Sequence, residues 1–487
     1  MTTLARRSQS LGRAGRDRPA SRAASLPVML LSASAVLACA LALSLPHVTA
    51  ASPPQLARQS IAGLPLGARG IVSAVLKRDF VQQGELSDRR GGSGEQFGEA
   101  LAVSGRTLVV GTINHIATST GVEQGAAYVF TEPASGWAHA QQVAILKAPR
   151  GQSEEAFGRS VAIAGNTIVV GAPVHEVDGH TGQGTAFVYV KPASGWRSAS
   201  PTAKLTAAGG TGGEFFGESV AISGDTVLVG APGRKVGKHA AQGAVDVFAV
   251  PRSRLARAPK QLAELTAPDG QPDDALGISV AISGSTIVAG ADLHRVGATT
   301  GQGVAYVFSK RGAGWKSARE TASLSDEAGE AHELFGRTVA IWKNTVVVGA
   351  PDHGGAERGA AYVFVKPASG WRGSLTQTAE LTASDTGKGD QFGGALAISG
   401  ELIVIGAPGH ASAKNTEQGA GYAFVKPAIG WRTSTETGEL LATGAAAGDK
   451  LGLAVALSAD TILLGAPDRE VNGDLGQGAV YAFRADR

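Results

Sequence analysis

The chain has 487 residues, a formal charge of +3, 68 glycines and one cysteine. The positive sign comes from six arginines in residues 1–50 against a single acid, Asp17, and the remainder holds 38 basic and 40 acidic residues. A near-neutral body without a basic stripe excludes phosphate-backbone binding, so no nucleic-acid partner is expected; with its cysteine at position 39, that body also has no disulfide to rely on.

Residues 1–50 read as an export signal: the arginines precede the apolar run Leu26–Leu45, and no charge occurs from Ala23 to Gln55. Val48 and Ala50 suit cleavage after Ala50. Two alternatives stand beside cleavage: the run is long enough to remain as a membrane anchor, and Cys39 in "VLAC" loosely matches a lipidation box. A secreted, periplasmic or cell-surface location follows, with membrane contact only through an uncleaved or lipidated N-terminus. Residues 51–82, with "ASPPQ" and "GLPLGARG", fit no repeat and read as a linker.

From residue 83 to 487 the chain repeats. An apolar anchor followed by Gly recurs as Phe97, Phe157, Phe216, Leu276, Phe335, Phe392 and Leu451, at spacings of 60, 59, 60, 59, 57 and 59. Thirteen residues after each such Gly stands another, at 111, 171, 230, 290, 349, 406 and 465, usually opening Gly-Ala-Pro. Each unit then has a variable loop, a third strand such as "GAAYVF", a Gly-Trp turn in most copies and a fourth strand whose Leu precedes the next anchor by eleven residues. Four strands per unit and seven units predict an all-β, seven-bladed propeller. The last unit ends after its third strand, while "QGELSD" (83–88) is a fourth strand without a unit of its own, so the N-terminal strand is expected to complete the last blade and close the ring. The closed ring is expected to be a monomer.

The Phe-Gly and Gly-Ala-Pro phrases resemble the FG-GAP repeat, found in the N-terminal propeller of integrin α subunits and in many exported bacterial proteins. The resemblance implies the same seven-bladed fold. In integrins it also implies calcium loops between the first two strands, but here those connections are two-residue turns such as "SGDT" and "AGNT", so calcium sites of that type are not expected. The turns "VDGHTG" (177–182) and "VNGDLG" (471–476) are weak cation candidates only.

Two sets of positions stand out. An acid lies two residues before every anchor: Glu95, Glu155, Glu214, Asp274, Glu333, Asp390 and Asp449. It is read as a structural acceptor of backbone N–H bonds between blades. A cationic residue lies four after each Gly of the Gly-Ala-Pro position: His115, His175, Arg234, His294, His353, His410 and Arg469. Its competing readings are a loop-scaffold residue and a ring that binds an anionic partner. One metal shared between blades is excluded by the roughly 10 Å separation of neighbouring second strands against metal bonds of about 2 Å. The Trp turns are read as packing. No Gly-x-Ser-x-Gly, His-Glu-x-x-His, phosphate loop or cysteine nucleophile occurs in the body, so no catalytic residue, metal or cofactor is assigned. The expected role is non-catalytic binding, adhesion or scaffolding toward an extracellular protein or glycan; the alternative is a secreted hydrolase or lyase acting on polysaccharide or lipid.

Overall fold

The structure is a computed structural model that describes residues 79–486, except 89, 118–121, 150–151, 153, 251–258, 311, 313, 316–319, 413–414 and 460. Residues 1–50, read from the sequence as an export signal, and nearly all of 51–82, read as a linker, lie outside the described residues. Among the described residues no helix is long and apolar enough to cross a membrane.

Each repeat folds as one antiparallel sheet, and the seven sheets are blades around an axis. In blade 3, the first strand Ser219–Ser223 turns through Gly224 and Asp225 into the second, Thr226–Ala231, which pairs with the third, Ala244–Ala249, and this with the fourth, Lys260–Leu265. Two-residue turns require a positive φ at their first position, which Gly supplies in blade 3 (φ 59°). The seven first strands neighbour one another in a closed circle and line an axial cavity of about 270 Å³ with side chains such as Leu101, Val161, Val280 and Leu457.

Blade 7 combines Ala454–Ser458, Thr461–Ala466 and Ala479–Ala485 with the N-terminal strand Phe80–Leu86, which pairs antiparallel with Ala479–Ala485 in the register Phe80↔Ala485 to Leu86↔Val480. The ring therefore closes through the first strand of the body. That strand starts three residues before the expected boundary and ends at Leu86. A register shift between Gln82 and Gly84 breaks its alternation, which hid Phe80–Gln82 from a reading of the sequence.

Hydrophobic burial occurs between blades. Every apolar cluster spans two neighbours: Ala144 and Leu146 of blade 1 pack with Phe157, Ile168 and Phe187 of blade 2, and Leu86 and Val480 of blade 7 pack with Phe97 and Tyr128 of blade 1. The five turn tryptophans are buried. Each belongs to a cluster containing the fourth strand of the preceding blade, as Trp371 does with Ala322 and Leu324. They are thus wedges between blades rather than covers over the outer strand of their own blade, and they are not free to stack on sugars.

Close approach fixes the glycines of the repeat phrase. A Cβ on Gly171 would strike the carbonyl oxygen of Gly217 in the next blade, and the same collision recurs around the ring to Gly465 against Gly98. In blades 2 to 5 the hydroxyl of Ser160, Ser219, Ser279 or Thr338 donates to that same carbonyl at 2.6–2.7 Å.

Candidate functional site

The acid and the cation singled out in each repeat meet one another, twenty residues apart, in all seven blades. The Nδ1 of His115, His175, His294, His353 and His410 lies 2.8, 2.6, 2.8, 2.9 and 3.1 Å from Glu95, Glu155, Asp274, Glu333 and Asp390. Arg234 lies 2.8 Å from Glu214 and Arg469 3.2 Å from Asp449. The hairpin explains the meeting: the acid sits where the chain enters the blade, the second strand returns to the same end, and the cation opens the following loop.

The carboxylate also holds the turn that precedes it. Thr211, Gln271, Glu330, Gly387 and Ala446 each donate a backbone N–H to the acid three residues later, at 2.6–3.2 Å. One side chain thereby fixes the blade-to-blade turn and the first residue of the variable loop. The backbone carbonyl of the residue before the third-strand Gly then accepts the N–H of the next anchor, as from Phe216 to Gln183 (3.0 Å), and at the closure from Phe97 to Gln477 (2.8 Å).

Sequence reading missed a third member, the aromatic of the third strand. Tyr128, Tyr306, Tyr362 and Tyr422 are buried, and burial pushes each phenol above its ordinary value, so each remains a donor. They donate to Asp88, Asp269, Asp326 and Asp385 in the segment entering their blade, at 2.9–3.2 Å. In three of them the hydroxyl also lies 3.0–3.2 Å from the Nδ1 of the His. Blade 3 replaces both members: Arg234 stands for His, Asp246 for Tyr, and the guanidinium touches Glu214, Asp246 (3.3 Å) and Glu264 (2.9 Å). Burial pushes Asp246 up to about 7 against the pull of Arg234.

The seven cations are therefore not an open ring. His175, Arg234, His294 and His410 are buried, and every one of the seven has its charge met by a carboxylate of its own blade. These pairings favour the loop-scaffold reading of the seven residues over an anion-binding ring, because an acidic ligand would have to displace seven internal partners. His353 is the most open, its side chain 22% exposed against 20% for Arg469, 13% for His115 and 7–8% for His175, Arg234, His294 and His410. Its hydrogen bond to Glu333 raises its pKa, against burial.

What the boxes leave facing outward is the loop they anchor. Between the second and third strands of blades 2, 3, 4 and 7 the chain makes a small hairpin, with bridges Val177↔His180, Val236↔His239, Val296↔Thr299 and Val471↔Asp474, and blade 1 makes one from Ile116–Ala117 and Val122–Glu123. "VDGHTG" and "VNGDLG" are the tips of two of these, with Asp178, Gly179, Asn472 and Gly473 at positive φ as a tight turn demands. Each loop is tied to the lead-in of the next blade, for example Gly213 N–H to Thr181 (3.0 Å) and Gly94 N–H to Leu475 (2.8 Å). The residue after the cation is exposed and differs between blades: Glu176, Lys235, Arg295 and Glu470. A polar cavity of about 460 Å³ lies elsewhere, beside the closing strand, lined by Glu85, Asp88, Arg90, Gln141 and Gln142.

Comparison with known proteins agrees with this geometry. The FG-GAP repeat family matches seven times, over residues 80–130, 140–189, 200–248, 259–308, 318–364, 375–424 and 434–483. No curated protein matches the chain. Among solved structures, the WD40 β-propeller domain of Doa1 is similar at a TM-score of 0.47 and 8% identity, over 84% of this chain and 98% of that one. Seven matched repeats that coincide with seven blades show that the chain belongs to the FG-GAP repeat family.

Proposed function

We propose that the protein is an exported, non-catalytic binding protein that presents the loops between its second and third strands to a protein or glycan partner. The observation that carries the reading is the contrast within those loops. Their bases are fixed by the repeated acid–cation boxes and by bonds to the next blade, while exposed positions along them, Glu176, Lys235, Lys238, Arg295 and Glu470, differ in charge. A rigid frame carrying varied tips is how scaffolds display recognition surfaces. The dispersal of carboxylates and histidines, one box per blade and turned inward, supports binding over hydrolysis, which needs an acid, a base and a nucleophile converging on one pocket.

The test is a screen of the purified chain against panels of glycans and surface proteins, followed by charge reversal at Glu176, Lys235, Lys238 and Arg295. We expect a ligand whose affinity shifts at least about tenfold on tip reversal, with the melting temperature unchanged. A ligand insensitive to every tip change, or turnover of an offered polysaccharide, would overturn the reading.

A further inference from the structure

Blade 5 departs from the other six in a way that opens its box. Its loop between the second and third strands, 351–359, has nine residues where blades 2, 3, 4, 6 and 7 have twelve, and it forms a single wide turn with Gly354 and Gly355 at φ 83° and 64°. His353 is the most exposed of the five box histidines, 22% against 7–13% for the other four. Beneath it two carboxylates converge, Glu333 fully buried and Asp326 5% exposed. Potential ligand atoms of Asp326, Glu333 and His353 all lie within 4.8 Å of one another. A third carboxylate, Glu380, stands opposite Tyr362 in the sheet and acts on both Tyr362 and His353.

Blade 3 shows what such a charge set requires. There three carboxylates, Glu214, Asp246 and Glu264, surround a permanent guanidinium. Blade 5 gathers three carboxylates around an imidazole, which carries at most one positive charge and none when neutral. One oxygen of Glu333 faces His353, whereas the other, Oε1, is buried without a hydrogen-bond partner. A buried carboxylate oxygen left unpaired is costly; blade 2 has the same lack at Glu155 Oε1, but among the described residues no second carboxylate there joins the acid and the His. Blade 6 gathers Asp385, His410 and Glu439 similarly. There Asp385 is exposed, the His is closed in, and the paired acid Asp390 has no orphaned oxygen.

We propose that the opened box of blade 5 binds a divalent metal ion of the zinc class, held by Asp326, Glu333 and His353 with water at the remaining position. Mixed imidazole and carboxylate ligands suit zinc and its first-row neighbours rather than calcium or magnesium, which take oxygen sets. A tetrahedral ion with bonds of about 2.0–2.1 Å holds its ligand atoms roughly 3.3 Å apart, a spacing that small side-chain adjustments reach from the present one. Tyr362, 3.2 Å from both Asp326 and His353, orients two of the ligands. The site lies within one blade, so the distance that excludes an ion shared between blades does not apply.

The test titrates Zn²⁺ alone into the full chain after treatment with a chelator, with calorimetry and thermal melting as readouts and Ca²⁺ as comparison. One equivalent should bind saturably and raise the melting temperature, and Ca²⁺ should not compete. Glu333→Gln, Asp326→Asn and His353→Gln should each weaken binding by at least about tenfold, while His294→Gln in blade 4 should leave it unchanged. Glu333→Gln keeps the shape of the box, and the other two variants serve if it fails to fold. Absence of a saturable equivalent in the parent, or zinc binding that survives all three changes, would overturn the proposal.

Discussion

At the residue scale the protein is governed by a pairing that its sequence spells but does not explain. Acid and cation positions are each visible as a column through seven repeats, and their constant offset of twenty residues was there to be read. That they touch was not, because contact depends on the hairpin folding the second strand back to the blade's entrance. A usable signal did exist in blade 3, where His becomes Arg and Tyr becomes Asp together, as partners do. Arg234→His alone should destabilise by about 3–5 kcal/mol at a pH where the imidazole is neutral, since Asp246 and Glu214 lose their permanent countercharge. Adding Asp246→Tyr restores the acid–His–Tyr set of blade 1, without the Asp of its entering segment, and should recover part of the loss; urea unfolding of the two single variants and the double variant measures the coupling. Asp246 also sets a pH dependence. Its folded carboxyl is pushed from the ordinary 3.8 up to about 7, so between those values the folded chain keeps a proton that the unfolded chain has released. Stability from this group is therefore highest below about pH 4 and falls as pH rises toward 7. Relative to Asp246→Asn, the parent should lose at least about 1 kcal/mol between pH 5 and pH 8, and a constant difference between the two would refute this account.

At the scale of the element, strands and turns were almost wholly legible, because alternation, two-residue turns and Gly-Trp corners recur seven times and one copy corrects another. The closing strand was the exception, as Gly84 sits at a bulge pressed against Ala138 of blade 1 and disturbs the pattern. The protection of outer strands was also invisible. Gly373–Leu375 of blade 5 adds in parallel to the fourth strand of blade 4, Ser434 of blade 6 bridges Leu381 of blade 5, and Ser198 of blade 2 accepts the N–H of Ile145 in blade 1. These loops cover edges that would otherwise pair with other chains, and nothing local marks them. Between blades the tightest contact is that of the glycines. Gly290→Ala would drive a methyl group into the backbone carbonyl of Gly336, which cannot yield, and against the hydroxyl of Ser279. We expect a loss of at least about 3 kcal/mol, read as a lower urea midpoint; a change within about 0.5 kcal/mol would mean that the blades separate more easily than their packing implies.

For the molecule as a whole, stability is shared between neighbours, since each blade buries its apolar faces only against the next. A break anywhere should therefore be felt everywhere. A chain beginning at residue 89 lacks the strand Phe80–Leu86 and exposes Ala479–Ala485, so it should aggregate or melt well below a chain beginning at residue 79, as scanning calorimetry would show. Equal melting of the two would deny that the N-terminal strand holds the ring.

That strand also sets the order of events in the life of the chain. Its partner, Ala479–Ala485, lies almost four hundred residues further along the chain, so the first strand of the body emerges long before anything exists for it to pair with. Six blades can assemble while synthesis continues, but the seventh cannot be completed until Ala479–Ala485 has emerged to meet the first strand. A product that stops short of Ala479 leaves Phe80–Leu86 and Thr461–Ala466 without their mates, and the unclosed ring remains open to whatever recognises unfinished protein.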